Sequence, residues 1–239
     1  MVLGNTAPTW SIQVEGIELT FTALRGAATR LPLQAGFLLQ ARFLLQARPA
    51  IAGSVDPKAE LRTRMRALRR RLAAEAPDAG VRAAANLPPG WPGRPVGAYG
   101  LYHPTGSELD PSAIRLDGER ALPAVIARAA PLVFRRHAPG GPLAPDALGI
   151  AAPTEAAGHV WPDVLFAPVL AFDRRGGRLG QGGGFYDRTI ADLRARGPLL
   201  VVGVAFAGQE LPEVPIEAHD ARLDAILTET AFIPVATGT

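Results

Sequence analysis

Two apolar runs, residues 163–172 and 199–206, constrain this chain more than any other feature. Between them lie a glycine-rich turn region, 176–184, and a helical pattern over 185–196 whose apolar positions are Phe185, Ile190 and Leu193. A strand that is apolar at nearly every position has no face to offer water, so it must be covered on both sides. Residues 95–99, 120–125 and 131–135 read as further strands, and 225–228 as a late one. Residues 58–76 read as a helix, with Leu61, Met65, Leu68 and Leu72 in a stripe at three-to-four spacing. Asp56-Pro57 supplies a cap and a first helical proline, and Pro77 stops the run. Another helix start is expected at Asp110-Pro111. Strands alternating with helices predict an α/β sheet with helices on both faces.

Composition narrows the chemistry. The chain of 239 residues is long enough for one sizeable domain, residues 57–239, with a real core. It has no cysteine, which excludes disulfides, zinc–thiolate sites and thiol nucleophiles and fits a cytoplasmic protein. The histidines, at 103, 137, 159 and 219, have no metal-ligand spacing. The formal charge is only +3, which suits anionic small molecules and does not demand nucleic acid. All basic residues but Lys58 are arginine. A lone amine against that bias is either wanted where it stands or there by chance.

Residues 1–56 differ from the rest. They hold a short tandem repeat, Phe37 to Arg42 and then Phe43 to Arg48, and no apolar run of the ~18 residues a membrane span needs. An N-terminal extension with little order is expected, with an organellar presequence as the alternative.

Four stretches carry chemistry. The first is Arg178-Leu179-Gly180-Gln181-Gly182-Gly183-Gly184-Phe185-Tyr186-Asp187. Glycines between a strand and a helix let backbone amides converge on an anion, and the helix adds its positive end. The same glycines also read as a structural turn. Asp187, near the helix start, can hold Mg²⁺ beside a phosphate. The second is Lys58 and Arg62, four apart and on one helix face. They can grip a polyphosphate, or belong to a solvated basic face with Arg64, Arg66, Arg69, Arg70 and Arg71. The third is Glu108, in a polar turn after a strand, which reads as a substrate carboxylate or a helix cap. The fourth is the pair Asp220 and Asp224 before the last strand.

Together these stretches resemble the 5-formyltetrahydrofolate cyclo-ligase family, also called methenyltetrahydrofolate synthetases, over about residues 57–233. The family's Lys-x-x-x-Arg helix is matched by Lys58 and Arg62, its acidic turn by residues 106–110, and its Gly-Ile-x-x-Pro element by residues 149–153. An apolar strand ending in Phe172-Asp173 leads into the glycine signature, with Phe185 in place of a tyrosine, and Asp220 and Asp224 match an Asp-x-x-x-Asp element. Some members carry an Arg and a Lys where this chain has Gln181 and Gly183, so backbone amides and Arg178 would carry more of the phosphate.

The resemblance implies a three-layer sandwich with a mostly parallel sheet. It implies that ATP closes the ring of 5-formyltetrahydrofolate to give 5,10-methenyltetrahydrofolate, ADP and phosphate. ATP contacts are implied at Lys58, Arg62 and Arg178 through Tyr186. Folate contacts are implied at His103, Glu108 and Gln181 through Phe185. Mg²⁺ is expected on Asp187 and Asp220, with Asp224 in support. A monomer without membrane or nucleic-acid partners is expected. Two rivals remain: a related phosphate-binding protein without this activity, and a nucleic-acid-binding protein using the basic helix over 62–71.

Overall fold

The computed structural model describes residues 57–217 and 220–236, and the backbone of residues 9–14 and 17–22. The chain divides into two units, Met1–Ser54 and Val55–Thr239. In the first, β1 (Thr9–Val14) pairs antiparallel with β2 (Ile17–Thr22), Trp10 standing opposite Phe21 in the register. The tandem repeat at 37–48 and the cap expected at Asp56 lie outside the described residues.

The second unit opens with α1 (Pro57–Glu75) and α2 (Ala79–Ala85). It continues through β3 (Ala98–Gly100), β4 (Glu119–Ala124), β5 (Val133–Arg136) and the short pair β6 (Ala144–Pro145) and β7 (Ala151–Ala152). Next come β8 (Val164–Pro168), β9 (Ala171–Phe172), β10 (Arg178–Leu179) and α3 (Phe185–Arg196). β11 (Leu200–Val204), β12 (Ala225–Leu227) and β13 (Phe232–Pro234) complete it. Seven strands form one sheet in the order β13-β12-β11-β8-β3-β4-β5. The four inner pairings are parallel, and only the edge strands β13 and β5 run antiparallel to their neighbours.

Strand alternation distributes the core. Tyr99, Val164, Phe166, Val202 and Leu227 pack on one face with Ala79 and Ala83 of α2 and with Leu72 of α1. Ala98, Leu165, Val201 and Ile226 pack on the other, against Ile190 and Leu193 of α3. Residues one apart thus face opposite layers, as the pleat requires, and the apolar runs are covered on both sides as the sequence demands. A smaller cluster seats Met65, Leu61 and Leu68 of α1 on Leu170, Ala171 and Leu179.

The expected single strand over 163–172 is two strands, β8 ending at Pro168 with one further bond from the Val169 N–H to the Val204 carbonyl at 3.3 Å. Beyond it the chain leaves the main sheet, and β9 pairs antiparallel with β10. The fully buried Gln209 satisfies the backbone at this departure. Its Nε2 donates to the carbonyls of Val169 (3.0 Å) and Leu170 (2.7 Å), and its Oε1 accepts from the Phe206 N–H (2.8 Å). The departure carries β10 and the glycine turn to the mouth of the sheet.

The helix expected at Asp110-Pro111 does not form. Asp110 Oδ1 instead accepts from the Ser112 N–H at 2.8 Å, turning the chain locally. The Asp110 carbonyl sits so close to Gly80 that a Cβ there would come within 2.3 Å of its oxygen. Helix α2 and strand β13 carry no periodic signal long enough to be read from the sequence, and both owe their place to packing.

Candidate active site

β3 and β4 run to one side of the sheet, and the chain then crosses to β8 and β11 on the other. In open parallel sheets a ligand crevice forms beyond the strand ends at such a reversal. A cavity of 380 Å³ lies there, lined by Tyr102 and His103 after β3, by Pro123 of β4 and by Pro168 of β8. Its volume is within the range of small-molecule sites.

One end of the cavity is charged. Lys58, at the start of α1, holds Nζ 2.7 Å from Asp220 Oδ2 and 2.7 Å from Glu217 Oε1. Burial alone would lower its pKa, but the hydrogen bonds and charges of these two carboxylates raise it instead. Arg178 is buried, donates from Nε to the Ala221 carbonyl at 2.8 Å, and pairs through Nη2 with Asp187 Oδ1. Burial lowers the Arg178 pKa, with Asp187 opposing. Asp187 Oδ1 also accepts from the Ala221 N–H at 3.2 Å. The start of α3 and the segment at 220–221 are therefore tied together, and Asp187 and Asp220 both line the cavity.

The glycine loop lies between these charges, and each of residues 178–187 lines the cavity. Gly182 has φ +99° and Gly184 φ +64°, conformations that side-chain-bearing residues rarely adopt. Arg62 reaches across from α1 and donates from Nε to the Gly180 carbonyl at 3.1 Å.

The opposite wall is apolar. Val125, Leu132, Leu148 and Ile150 line it, and Asp146 fixes its shape. Asp146 Oδ2 accepts from Val125 N–H at 2.8 Å, and Oδ1 from Leu148 (2.8 Å) and Ile150 (3.0 Å). Between the two ends stands Glu108, also in the lining. Its carboxylate accepts from the Thr105 N–H (3.0 Å) and hydroxyl (3.1 Å), and pairs with Arg69 Nη1 at 3.4 Å. The Glu108 and Arg69 side chains are both more than nine-tenths buried. With no helix following it, Glu108 is not a helix cap but the clamp of a turn. Burial pushes the phenols of Tyr102 and Tyr186 well above their ordinary range, so both line the site as neutral hydroxyls.

Every residue assigned from sequence to ATP, folate or metal lines this one cavity except Asp224. Asp224 Oδ2 binds Arg194 Nη2 at 3.1 Å and the Val201 N–H at 2.8 Å, and so anchors the start of β11 and not the cavity. Sequence reasoning missed Tyr102, Thr105, Glu217, Asp146 and the apolar wall. The available signal was Leu148 and Ile150, large apolar residues in a stretch rich in proline and glycine. It also missed that Arg66 and Arg69 belong with Lys58 and Arg62. These four residues recur every three or four positions of α1, and Arg66 binds Gln181 as Arg69 binds Glu108. The basic cluster is thus divided, with Arg64, Arg70 and Arg71 exposed and the others turned to the site loops.

The chain is also similar to known proteins. The family model of the 5-formyltetrahydrofolate cyclo-ligases matches residues 106–229. The 5-formyltetrahydrofolate cyclo-ligase of Haemophilus influenzae is 39% identical over 100 residues, 40% of this chain and 53% of that one. That of Mycolicibacterium smegmatis is 34% identical over 142 residues, 53% of this chain and 71% of that one. The chain thus spans about half the length of the first relative and more of the second. The 5,10-methenyltetrahydrofolate synthetase of Aquifex aeolicus superposes with a TM-score of 0.62 at 30% identity, covering 76% of this chain and 94% of that one. The synthetase of Mycoplasma pneumoniae, at 19% identity and a TM-score of 0.56, shares the fold. With that family model matched over residues 106–229, and with a relative 34% identical of which the chain covers 71%, the chain belongs to the 5-formyltetrahydrofolate cyclo-ligase family.

Proposed function

We propose that this protein is an ATP-dependent ligase that converts 5-formyltetrahydrofolate to 5,10-methenyltetrahydrofolate, releasing ADP and phosphate. The observation that carries the reading is one cavity with a glycine loop between charged side chains at one end and an apolar wall at the other. Such a site suits a polyphosphate and a flat heteroaromatic ring held side by side.

The chemistry needs little beyond positioning and charge. The formyl group is amide-like, and its oxygen is a poor leaving group. Transfer of the γ-phosphoryl group to that oxygen breaks the β–γ bridge and releases ADP. N10 of the folate then attacks the activated carbon and gives up its proton to solvent, and phosphate departs with the former formyl oxygen. Lys58, Arg62, Arg178 and the amides of residues 180–184 would offset phosphate charge and align the transfer. His103 and Glu108 would orient the folate, and the Val125 and Ile150 wall would receive its ring.

In this reading Asp187 and Asp220 would hold a magnesium ion. Asp187 and Asp220 line the same cavity, and Asp187 Oδ2 takes no hydrogen bond from the described residues. Among the described residues no three acids or histidines could hold a metal without a ligand. The ion would then draw its remaining oxygen ligands from phosphate and water. When bound, the ion would neutralise phosphate charge. No helix of the described residues is long and apolar enough to cross a membrane, and the reading takes the enzyme as a cytoplasmic monomer acting on small molecules. Incubation of the full chain with 5-formyltetrahydrofolate should produce methenyltetrahydrofolate absorbance only when ATP is present. Absence of that product at high enzyme concentration would leave a phosphate-binding relative without the activity.

A further inference from the structure

Three successive arginine contacts surround the glycine loop. Arg62 Nε donates to the Gly180 carbonyl at 3.1 Å, Arg66 Nη2 to the Gln181 carbonyl at 3.2 Å, and Arg188 Nη2 to the Gly183 carbonyl at 2.9 Å. Arg66 also donates from Nε to Gln181 Oε1 at 3.0 Å. Arg188 reaches the Arg128 carbonyl at 3.2 Å, and its guanidinium lies 5.2 Å from the centre of the Phe185 ring. Arg62 lines the cavity, whereas Arg66 and Arg188 do not.

A trans peptide points its C=O and the following N–H in opposite directions, and none of the loop's peptides is cis. Each carbonyl held by an arginine therefore sends the next amide away from that arginine. The amides so directed are those of Gln181, Gly182 and Gly184. Among the described residues none of these three donates to a protein acceptor. The glycines permit the required turns, while the arginines select this arrangement from the many that a glycine loop can adopt.

We propose that Arg66 and Arg188 are positioning residues, which hold the glycine loop in its anion-receiving shape from outside the cavity without touching the nucleotide. The proposal rests on the reading that this loop takes the phosphates of ATP. It also accounts for a loop that works without basic side chains of its own, since α1 and α3 supply the order from either flank.

The test uses Arg66→Ala and Arg188→Ala in the full chain. ATP affinity is read by calorimetry, the two KM values by steady-state kinetics, and loop order by hydrogen exchange of residues 180–184. Each variant should weaken ATP binding on the order of tenfold, about the size of one lost hydrogen bond. The folate KM should stay within about twofold, and loop exchange should quicken while exchange in the α3 core does not. Gln181→Ala should be milder than Arg66→Ala, because Arg66 keeps the Gln181 carbonyl. If Arg188→Ala fails to fold, Arg66→Ala on the flank of α1 and Arg188→Lys carry the test. Unchanged ATP affinity in the folded variants would overturn the proposal. So would weaker binding with unchanged loop exchange, since that would make the arginines direct phosphate ligands. A parent protein that binds no ATP at all would overturn the underlying reading instead.

Discussion

Lys58 stands between two carboxylates, and that decides what its removal does. Lys58→Ala should weaken ATP binding by roughly 1.5–3 kcal/mol, the size of a charge-assisted hydrogen bond, and leave the folate KM little changed. Equal ATP affinity in variant and parent would confine Lys58 to holding Asp220 and Glu217. The ion pairs raise its folded pKa above the ordinary 10.5. Their contribution to stability is therefore fully present below that value and lost only as pH rises through the folded pKa. Melting temperatures of Lys58→Ala and parent should run parallel across the neutral range and converge only in strong alkali. Convergence near neutral pH would contradict this. Glu108 and Arg69 behave differently, since their side chains are almost wholly buried together. Removing either strands the other, which should cost about 3–5 kcal/mol. Glu108→Gln, which keeps the shape, should lose less stability and still raise the folate KM. A stability loss with normal folate KM would limit Glu108 to clamping its turn.

At the scale of elements, the departure of the chain after Pro168 links fold to site. Gln209→Leu would leave the Val169, Leu170 and Phe206 backbone groups buried without partners, at about 1–3 kcal/mol each. The variant should melt well below the parent in denaturant titration, and activity in the surviving folded fraction should fall as the glycine turn shifts. Parent-like stability would mean that water or a neighbour replaces the amide. Helix α3 was legible to the residue, because one apolar stripe and one glycine boundary define it. α1 was legible from its leucine stripe, yet its arginines read as a solvated face. Sequence spacing places Arg66 and Arg69 beside Arg62, but only the packed fold brings Gln181 and Glu108 within their reach. The break after Pro168 was hidden by the apolar run around it. The turn at Asp110 was hidden because an Asp-Pro pair begins helices and Asx turns alike.

At the scale of the molecule, the glycine loop, α1 and the strand ends meet because the order in which strands are added reverses between β3 and β8. The charged end of the cavity could be read from signature residues. The apolar wall could not, since Leu148 and Ile150 gain their meaning only when Asp146 ties them to the end of β4. Deleting residues 1–55 should leave fold and turnover intact, because α1 begins at Pro57, a residue suited to the first position of a helix. An insoluble or inactive truncation would show that the first unit is needed. Asp187→Asn should lower kcat strongly, and excess Mg²⁺ should restore part of it. No restoration would reduce Asp187 to the partner of Arg178. The central claim is that ATP activates the formyl oxygen in this cavity. 5-Formyltetrahydrofolate carrying a heavy oxygen isotope in its formyl group tests it most directly, with the released phosphate analysed by mass spectrometry. The account predicts one labelled oxygen per phosphate, formed in step with ADP and methenyltetrahydrofolate. Label recovered in water, with unlabelled phosphate, would contradict it.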